Sequence, residues 1–407
     1  DHECDRVWSK VGSSLGAQLG ESEREGDIVV VVNLRNEGCV NGEGAKKVKL
    51  AELNLQAARK ATEFSAFESA AKYTTKGIEM LPSNHWQDNF ELALELYSTA
   101  AEAEGYMGDV KKIEEHCREV LDQSKCTLLE KMRVYNVLLN SIGNRDRVPE
   151  AIDLCLDILK QSGCKFPNKS ITIALSTLVG FVRIKATVKS RTTEEISKIP
   201  LMTDVRRIEK MKLLDKLCTY CYLAENDLNP LGMFRSLKWT IRYGLCDYAP
   251  PAFALIGGIL INVLLDLQGA STYGVHALLL LEKLGCKATE SRTLMLVHCF
   301  VLPWTRPLQS MLKPLLRSYE IGLELGDTES AMWAIYHHIL IAFQAGRSLV
   351  ALEADCRVYL KQLQELKRYK VSSFCQLTWQ LILNLIGQSE NTTVMTANAE
   401  EQEQAVE

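Results

Sequence analysis

Residues 65–82 read SAFESAAKYTTKGIEMLP, and no other stretch constrains the fold of this chain as tightly. Ala66, Phe67, Ala70, Tyr73 and Gly77 recur at helical spacing before Leu81-Pro82 ends the run. Small side chains at 66, 70 and 77 allow a second helix to approach. The aromatics fill the space between turns, and a proline cannot continue a helix. This is the pattern of the second helix of a tetratricopeptide-type hairpin. Such a hairpin cannot bury its apolar face alone, so it requires neighbours stacked against it.

The rest of the chain supplies them. Leu50, Leu53, Ala57, Ala58 and Ala61 form one face of a preceding helix. A second hairpin pairs 89–106 with 110–121 across Gly108-Asp109, and a third pairs 128–142 with 149–161, with Pro149 tolerated in the first turn. An apolar helix with a basic end covers 170–188, and 191–200 reads as a loop. Pairs then resume: 204–223 with 230–243, 252–267 with 271–284, 290–302 with 308–325, and 328–345 with 349–366, capped by 371–386. Gly244, Gly269, Gly285, Gly326 and Gly346 fall near the helix ends, where left-handed caps are favoured. Ala70, Ile113 and Ala151 are separated by 43 and 38 residues, so the repeat is longer and less regular than the roughly 34 residues of a tetratricopeptide unit.

The expected fold is therefore all-α: a degenerate tetratricopeptide-like superhelix of αα-hairpins, an α-solenoid of about seven hairpins. Its expected organisation is a short leading segment (1–26, with a helix around 6–19), lobes over 27–190 and 204–387, a joint at 191–203, and an acidic, disordered linker over 388–407. One segment resists the pattern. Residues 28–32 are a β-branched run that by itself reads as a strand.

Composition narrows the function. Charged residues are 24% of the 407 and the net charge is −4, which gives no pull toward nucleic acid or anionic membrane. The most apolar run, 252–265, is interrupted by Asn262 and is shorter than the roughly 18 residues that span a bilayer. The 13 cysteines are odd in number and scattered through apolar helical patterns, which favours buried thiols in a reducing, cytoplasmic setting. The chain opens on Asp1 without a secretory signal, and the expectation is a piece of a longer protein.

No motif with catalytic chemistry survives inspection. A valine run followed by Gly38, Gly42, Gly44 and Lys46-Lys47 imitates a phosphate cradle. The glycine-to-glycine spacing fails at Glu43, and no Ser or Thr follows the lysines to hold magnesium. Cys218 and Cys221 have no second pair at zinc spacing, so two packed thiols is the simpler reading. His337 and His338 diverge by about 100° on a helix and lack a ligand partner. His298-Cys299 diverges in the same way. Arg206, Arg207, Lys210, Lys212 and Lys216 are mixed with Glu209 and Asp215, as on a solvated face.

The run LAELNLQAARKATEFSAFESAAKYTTKGIEMLPSNHWQDNFELALELYSTAAEAEGYMGD (50–109) resembles the helical region of very large multidomain signalling ATPases. Those proteins carry a Ser/Thr-kinase-like domain, an AAA-type signal-transduction ATPase with numerous domains, this helical array, a GAF domain and often a histidine kinase. The resemblance continues through MRVYNVLLNSI, EAIDLCLDILKQSGCKFP, IPLMTDVRRIEKMKLL, PPAFALIGGIL, WTRPLQSMLKPLLRSYEIGLELGD and LTWQLILNLIG, covering roughly 28–387. It implies that 28–36 is helical, against the strand reading, and that 1–26 is the tail of an upstream ATPase lid. It also implies that ATP and magnesium belong to that upstream domain, with no cofactor in this segment. No kinase, ATPase or histidine-kinase motif is present to carry a catalytic residue over.

The function expected from these readings is a regulatory scaffold that binds a protein segment or its own ATPase domain. The first helix of each hairpin would line the binding surface, placing Leu55, Arg59 and Thr62 on it, with Ser98 and Glu102 in the next hairpin. The rivals are a helical module sensing a small apolar ligand and an enzyme with an unrecognised helical active site.

Overall fold

The structure, a computed structural model, describes residues 21–38, 44–145, 147–190, 192–366 and 369–389. The expected helix at 6–19, the glycine loop at 39–43 and the tail from 390 lie outside the described residues. Every regular element described is helical, and the only strand-like pairing there is an isolated bridge between Leu201 and Leu245. The chain divides into two compact units within one helix, between Leu154 and Cys155.

The first unit holds α1 (Glu21–Gly38), α2 (Gly44–Glu63), α3 (Phe67–Glu79), the single turn α4 (His85–Asp88), α5 (Phe90–Met107), α6 (Val110–Leu121) and α7 (Leu128–Asn144). It also holds the start of α8 (Val148–Gln161). Helix α3 packs between α2 and α5, and α6 packs between α5 and α7. The first helices α2, α5 and α7 also touch in series, which is the hairpin array expected from the small-residue spacing. Local chemistry sets the breaks. Gly108 ends α5 at φ +77°, and Asp109 caps α6 by accepting from the Lys112 N–H at 3.2 Å. Thr127 and Glu130 form a reciprocal capping box at the start of α7.

Gly77 sits where three helices meet. A Cβ there would lie 2.6 Å from Leu96 Cδ2 of α5 and 3.4 Å from Asn54 Cβ of α2. Residues 28–32, the strand-like run, are helical within α1. Val32 is fully buried among Ala57, Ala58 and Ala61, with Ile28 and Val29 against the same cluster. Two polar contacts fix the packing: the Asn36 and Asn54 amides exchange hydrogen bonds at 2.9 Å, and Tyr73 Oη donates to Asn33 Oδ1 at 3.0 Å. Burial against α2 outweighs the modest helix penalty of β-branched residues, about 0.5 kcal/mol each.

The second unit holds the rest of α8, then α9 (Ser170–Ser190), α10 (Thr193–Ser197), α11 (Val205–Leu223), α12 (Asn229–Tyr243), α13 (Ala249–Asn262) and α14 (Leu267–Leu284). After α15 (Glu290–Leu296) a π turn at Val297–Val301 and a 3₁₀ turn at Leu302–Trp304 end the segment expected as one helix over 290–302. The unit closes with α16 (Gln309–Glu324), α17 (Thr328–Gln344), α18 (Leu349–Glu365) and α19 (Tyr369–Ile386). Consecutive helices again pair, and α13, α15, α17 and α19 touch in series around one continuous apolar core.

The loop expected at 191–200 contains α10, opened by a capping box of Thr192 and Glu195, and α10 packs on α14. Beyond it, Met202 N donates to Leu245 O at 2.7 Å and Leu245 N donates to Pro200 O at 2.8 Å. Gly244 makes that crossing possible: its φ is +115°, and a Cβ would fall 2.6 Å from Pro200 O. Gly269, expected at a helix end as a left-handed cap, lies in the first turn of α14, where its N–H donates to Asp266 at 2.8 Å.

Candidate interaction face

The outward sides of α2, α5 and α7 carry the most organised polar constellation of the first unit. On α5, Glu95, Thr99, Glu102 and Tyr106 fall at i, i+4, i+7 and i+11, one stripe of a helix. Arg59 of α2 reaches Glu95 from one side, Nη2 donating to Oε2 at 2.5 Å. Arg133 of α7 reaches it from the other, Nη1 donating to the same oxygen at 2.8 Å. The Arg133 guanidinium also grips Glu102 with two prongs, at 3.0 and 2.7 Å, and touches Thr99 Oγ1 at 3.4 Å. Three successive hairpins are thus joined by a ladder of alternating charge.

Electrostatics follow the geometry. Partial burial works to raise the Glu95 carboxyl, but Arg133 and Arg59 outweigh it and hold Glu95 below its ordinary value. Burial likewise opposes the charge on Arg133, and Glu102 and Glu95 overcome it and keep that guanidinium firmly protonated. The ladder pairs two arginines with two glutamates across three helices, so its own formal charges sum to zero.

Beside the ladder lies an aromatic patch. Tyr106, about half exposed at 52%, stacks on Phe67 with ring centroids 3.9 Å apart and planes 12° apart. Phe64 projects from the α2–α3 turn at 74% exposure. Met107 is also exposed. Burial and the nearby Glu102 carboxylate raise the Tyr106 hydroxyl above its ordinary value, so it is neutral at any physiological pH.

Of the residues expected on this surface, the structure places Arg59 and Glu102 in the ladder. Thr62 is half-buried beside it and donates to its own helix at Ala58 O, 3.0 Å away. Leu55 and Ser98 are corrections. Leu55 is buried against Ala51 and Leu96, and Ser98 is 1% exposed within α5. Ser98 and Thr99 are both buried, at 1% and 4% exposure, and the stripe reaches the surface at Glu95, Glu102 and Tyr106. Glu95, Thr99 and Arg133 were missed. The i, i+4, i+7 polar stripe on α5 was the signal that could have found the first two.

The other motifs are structural. Cys218 and Cys221 are both buried, and burial pushes the Cys221 thiol up to about 12 and Cys218 well above its ordinary value. His337 and His338 each use Nδ1–H on a different backbone carbonyl, Trp333 O at 2.7 Å and Leu312 O at 3.0 Å, so their rings diverge. His298 lies in the π turn, with Nδ1–H donating to Leu294 O at 2.9 Å, while burial raises its neighbour Cys299 well above the thiolate range. Within the basic segment, Arg207 lies over the Tyr243 ring at 4.2 Å, and Asp215 forms a largely buried pair with Arg292 at 2.9 Å. Among the described residues, no group of three or more His, Cys, Asp or Glu side chains is placed to hold a metal ion. Nor is any described helix long and apolar enough to cross a membrane.

No protein-family model matches the chain, and no curated protein matches it either.

Proposed function

We propose that this chain is a helical-repeat scaffold that regulates a signal-transduction ATPase or kinase, by binding a protein segment or the parent protein's own ATPase domain. The observation that carries this reading is the face of α2, α5 and α7. Its helices are held in fixed register by the Arg59–Glu95–Arg133–Glu102 ladder, and it is flanked by the exposed Phe64 and Tyr106. Rigid aromatic anchors beside a self-neutralised polar surface suit recognition of a peptide or domain, because aromatics contribute most of the energy at interfaces. The resemblance of residues 28–387 to the helical region of signalling ATPases supports the choice of partner.

The test is binding between this chain and the ATPase segment encoded in the same longer reading frame, identified by a GxxxxGK[ST] motif. Phe64→Ser and Tyr106→Ser together should weaken binding at least tenfold, by the usual weight of interface aromatics, with circular dichroism unchanged. Equal affinity of the doubly substituted chain refutes the assignment of this face. The absence of any such motif in the reading frame removes the ATPase as partner.

A further inference from the structure

Helix α9 is apolar on two sides, and the fold covers one of them. No charged residue occurs between Ser170 and Val182. The inward side packs on α12. There Ile184 is buried, Phe181 meets the Phe234 ring edge-on at 5.1 Å, and a Cβ on Gly180 would overlap that ring.

The outward side is a second apolar stripe. Ile171, Leu175, Leu178 and Val182 follow at i, i+4, i+7 and i+11, and each is 59–76% exposed, with Val179 beside them at 47%. A helix that is apolar all round is normally buried all round. Steps of four, three and four make a two-heptad seam, the spacing by which one helix packs along another. The positions flanking the seam are Thr172, Ala174, Val179 and Phe181, and none is charged.

We infer that α9 pairs with α9 of a second copy of this chain, antiparallel about a two-fold axis that passes between Leu175 and Leu178. The stripe reads β-branched, Leu, Leu, β-branched in either direction. Antiparallel pairing therefore sets Leu175 on the second copy's Leu178 and Ile171 on its Val182, a self-complementary contact. The uncharged flanks suit a self-pair. Identical charges would face each other there and repel, and a different partner selected by charge would find nothing to read. Covering five side chains of this exposure on each of two copies removes roughly 1,000 Å² from water, the lower bound of a specific interface, which fits a weak, reversible dimer. A bilayer is a poorer cover, because an interfacial helix keeps a charged face in water and the other face of α9 is packed on α12. The stripe belongs to the second unit, and the inference does not rest on the face of α2, α5 and α7.

The test is sedimentation velocity of the 407-residue chain over a concentration series, which should show a reversible monomer–dimer equilibrium. Leu175→Lys alone and Leu178→Glu alone should each raise the dimer dissociation constant at least tenfold. Both side chains are exposed, so circular dichroism and the thermal midpoint of the dilute monomer should not change. Mixing the two variants should restore the dimer, because antiparallel pairing sets the introduced lysine of one chain against the introduced glutamate of the other. A chain still monomeric at about 0.1 mM overturns the inference. So does a dimer that both substitutions leave intact, or a mixture that associates no better than either variant alone. Binding of the unsubstituted chain to phosphatidylcholine–phosphatidylserine vesicles that Leu175→Lys abolishes also overturns it, by making lipid the cover of this stripe.

Discussion

Gly77→Ala is the sharpest probe of how the array is assembled, because two opposing effects act on it and only one belongs to the tertiary structure. Inside α3 the substitution should stabilise the helix by about 1 kcal/mol, the ordinary gain of alanine over glycine. Against this, the new Cβ would lie 2.6 Å from Leu96 Cδ2 and 3.4 Å from Asn54 Cβ. Leu96 is fully buried, so it cannot retreat without pushing a neighbour. Overpacking of this kind costs about 1–3 kcal/mol, and the expected net effect is a destabilisation of about 1 kcal/mol. Removing Leu96 should reverse the sign. Leu96→Ala alone costs about 2–5 kcal/mol. In that background Gly77→Ala meets only Asn54 and should recover its helix gain of about 1 kcal/mol, giving a coupling of about 2 kcal/mol across the cycle. An array of neighbouring hairpins does not melt as a single two-state unit, so the measurement is hydrogen exchange of peptides covering α3 and α5, read as local opening free energies. If Gly77→Ala has the same effect with and without Leu96, the close approach of α3 to α5 is refuted.

Two further predictions follow from the electrostatics. The Arg133–Glu102 contact has ideal two-pronged geometry, but both side chains are more than a third exposed, at 39% and 35%, so water screens it. A double-mutant cycle of Arg133→Ala and Glu102→Ala should give a coupling of about 0.5–1 kcal/mol that shrinks in 1 M salt; a coupling of zero at low salt removes the ladder as a structural device. Burial also depresses His337 from an ordinary 6.5 to about 4. The unfolded chain then binds the proton more readily than the folded one, so the stability contributed is fully present above pH 6.5 and is lost as pH falls toward 4. That shift corresponds to at most about 3 kcal/mol. His337→Phe should flatten the acid limb of a stability–pH curve, and an unchanged limb contradicts the burial of a neutral imidazole there.

Much of the fold was legible because helices announce themselves locally. The start of α7 is written in Thr127 and Glu130, the break after α5 in Gly108-Asp109, and the α3 contact in Ala70 and Gly77. The proposed face was only partly legible. Of the residues expected to line it, Arg59 and Glu102 lie in the ion-pair ladder and Leu55 and Ser98 are buried, and the pairing of Glu95 with Arg133 was not foreseen. The ladder joins Arg133 to residues 31 and 38 positions away, and no short-range pattern encodes a pairing across three hairpins.

By itself the sequence determined the all-α class seen in the described residues, roughly where most of those helices begin and end, and which small residues mark the crossings. Those properties rest on caps, turns and hydrogen bonds between near neighbours in the chain. Tertiary structure alone decided the rest. It gave the physical reason for the helix at 28–32, which periodicity had left strand-like and only the family resemblance had implied, by burying Val32 on α2, and it placed α10 in the expected loop. It also chose which side of each helix faces outward, and it left one apolar side of α9 uncovered. The physical reason is the turn of about 100° per residue: a one-residue error in phase exchanges surface for core, and only the neighbouring helix fixes the phase.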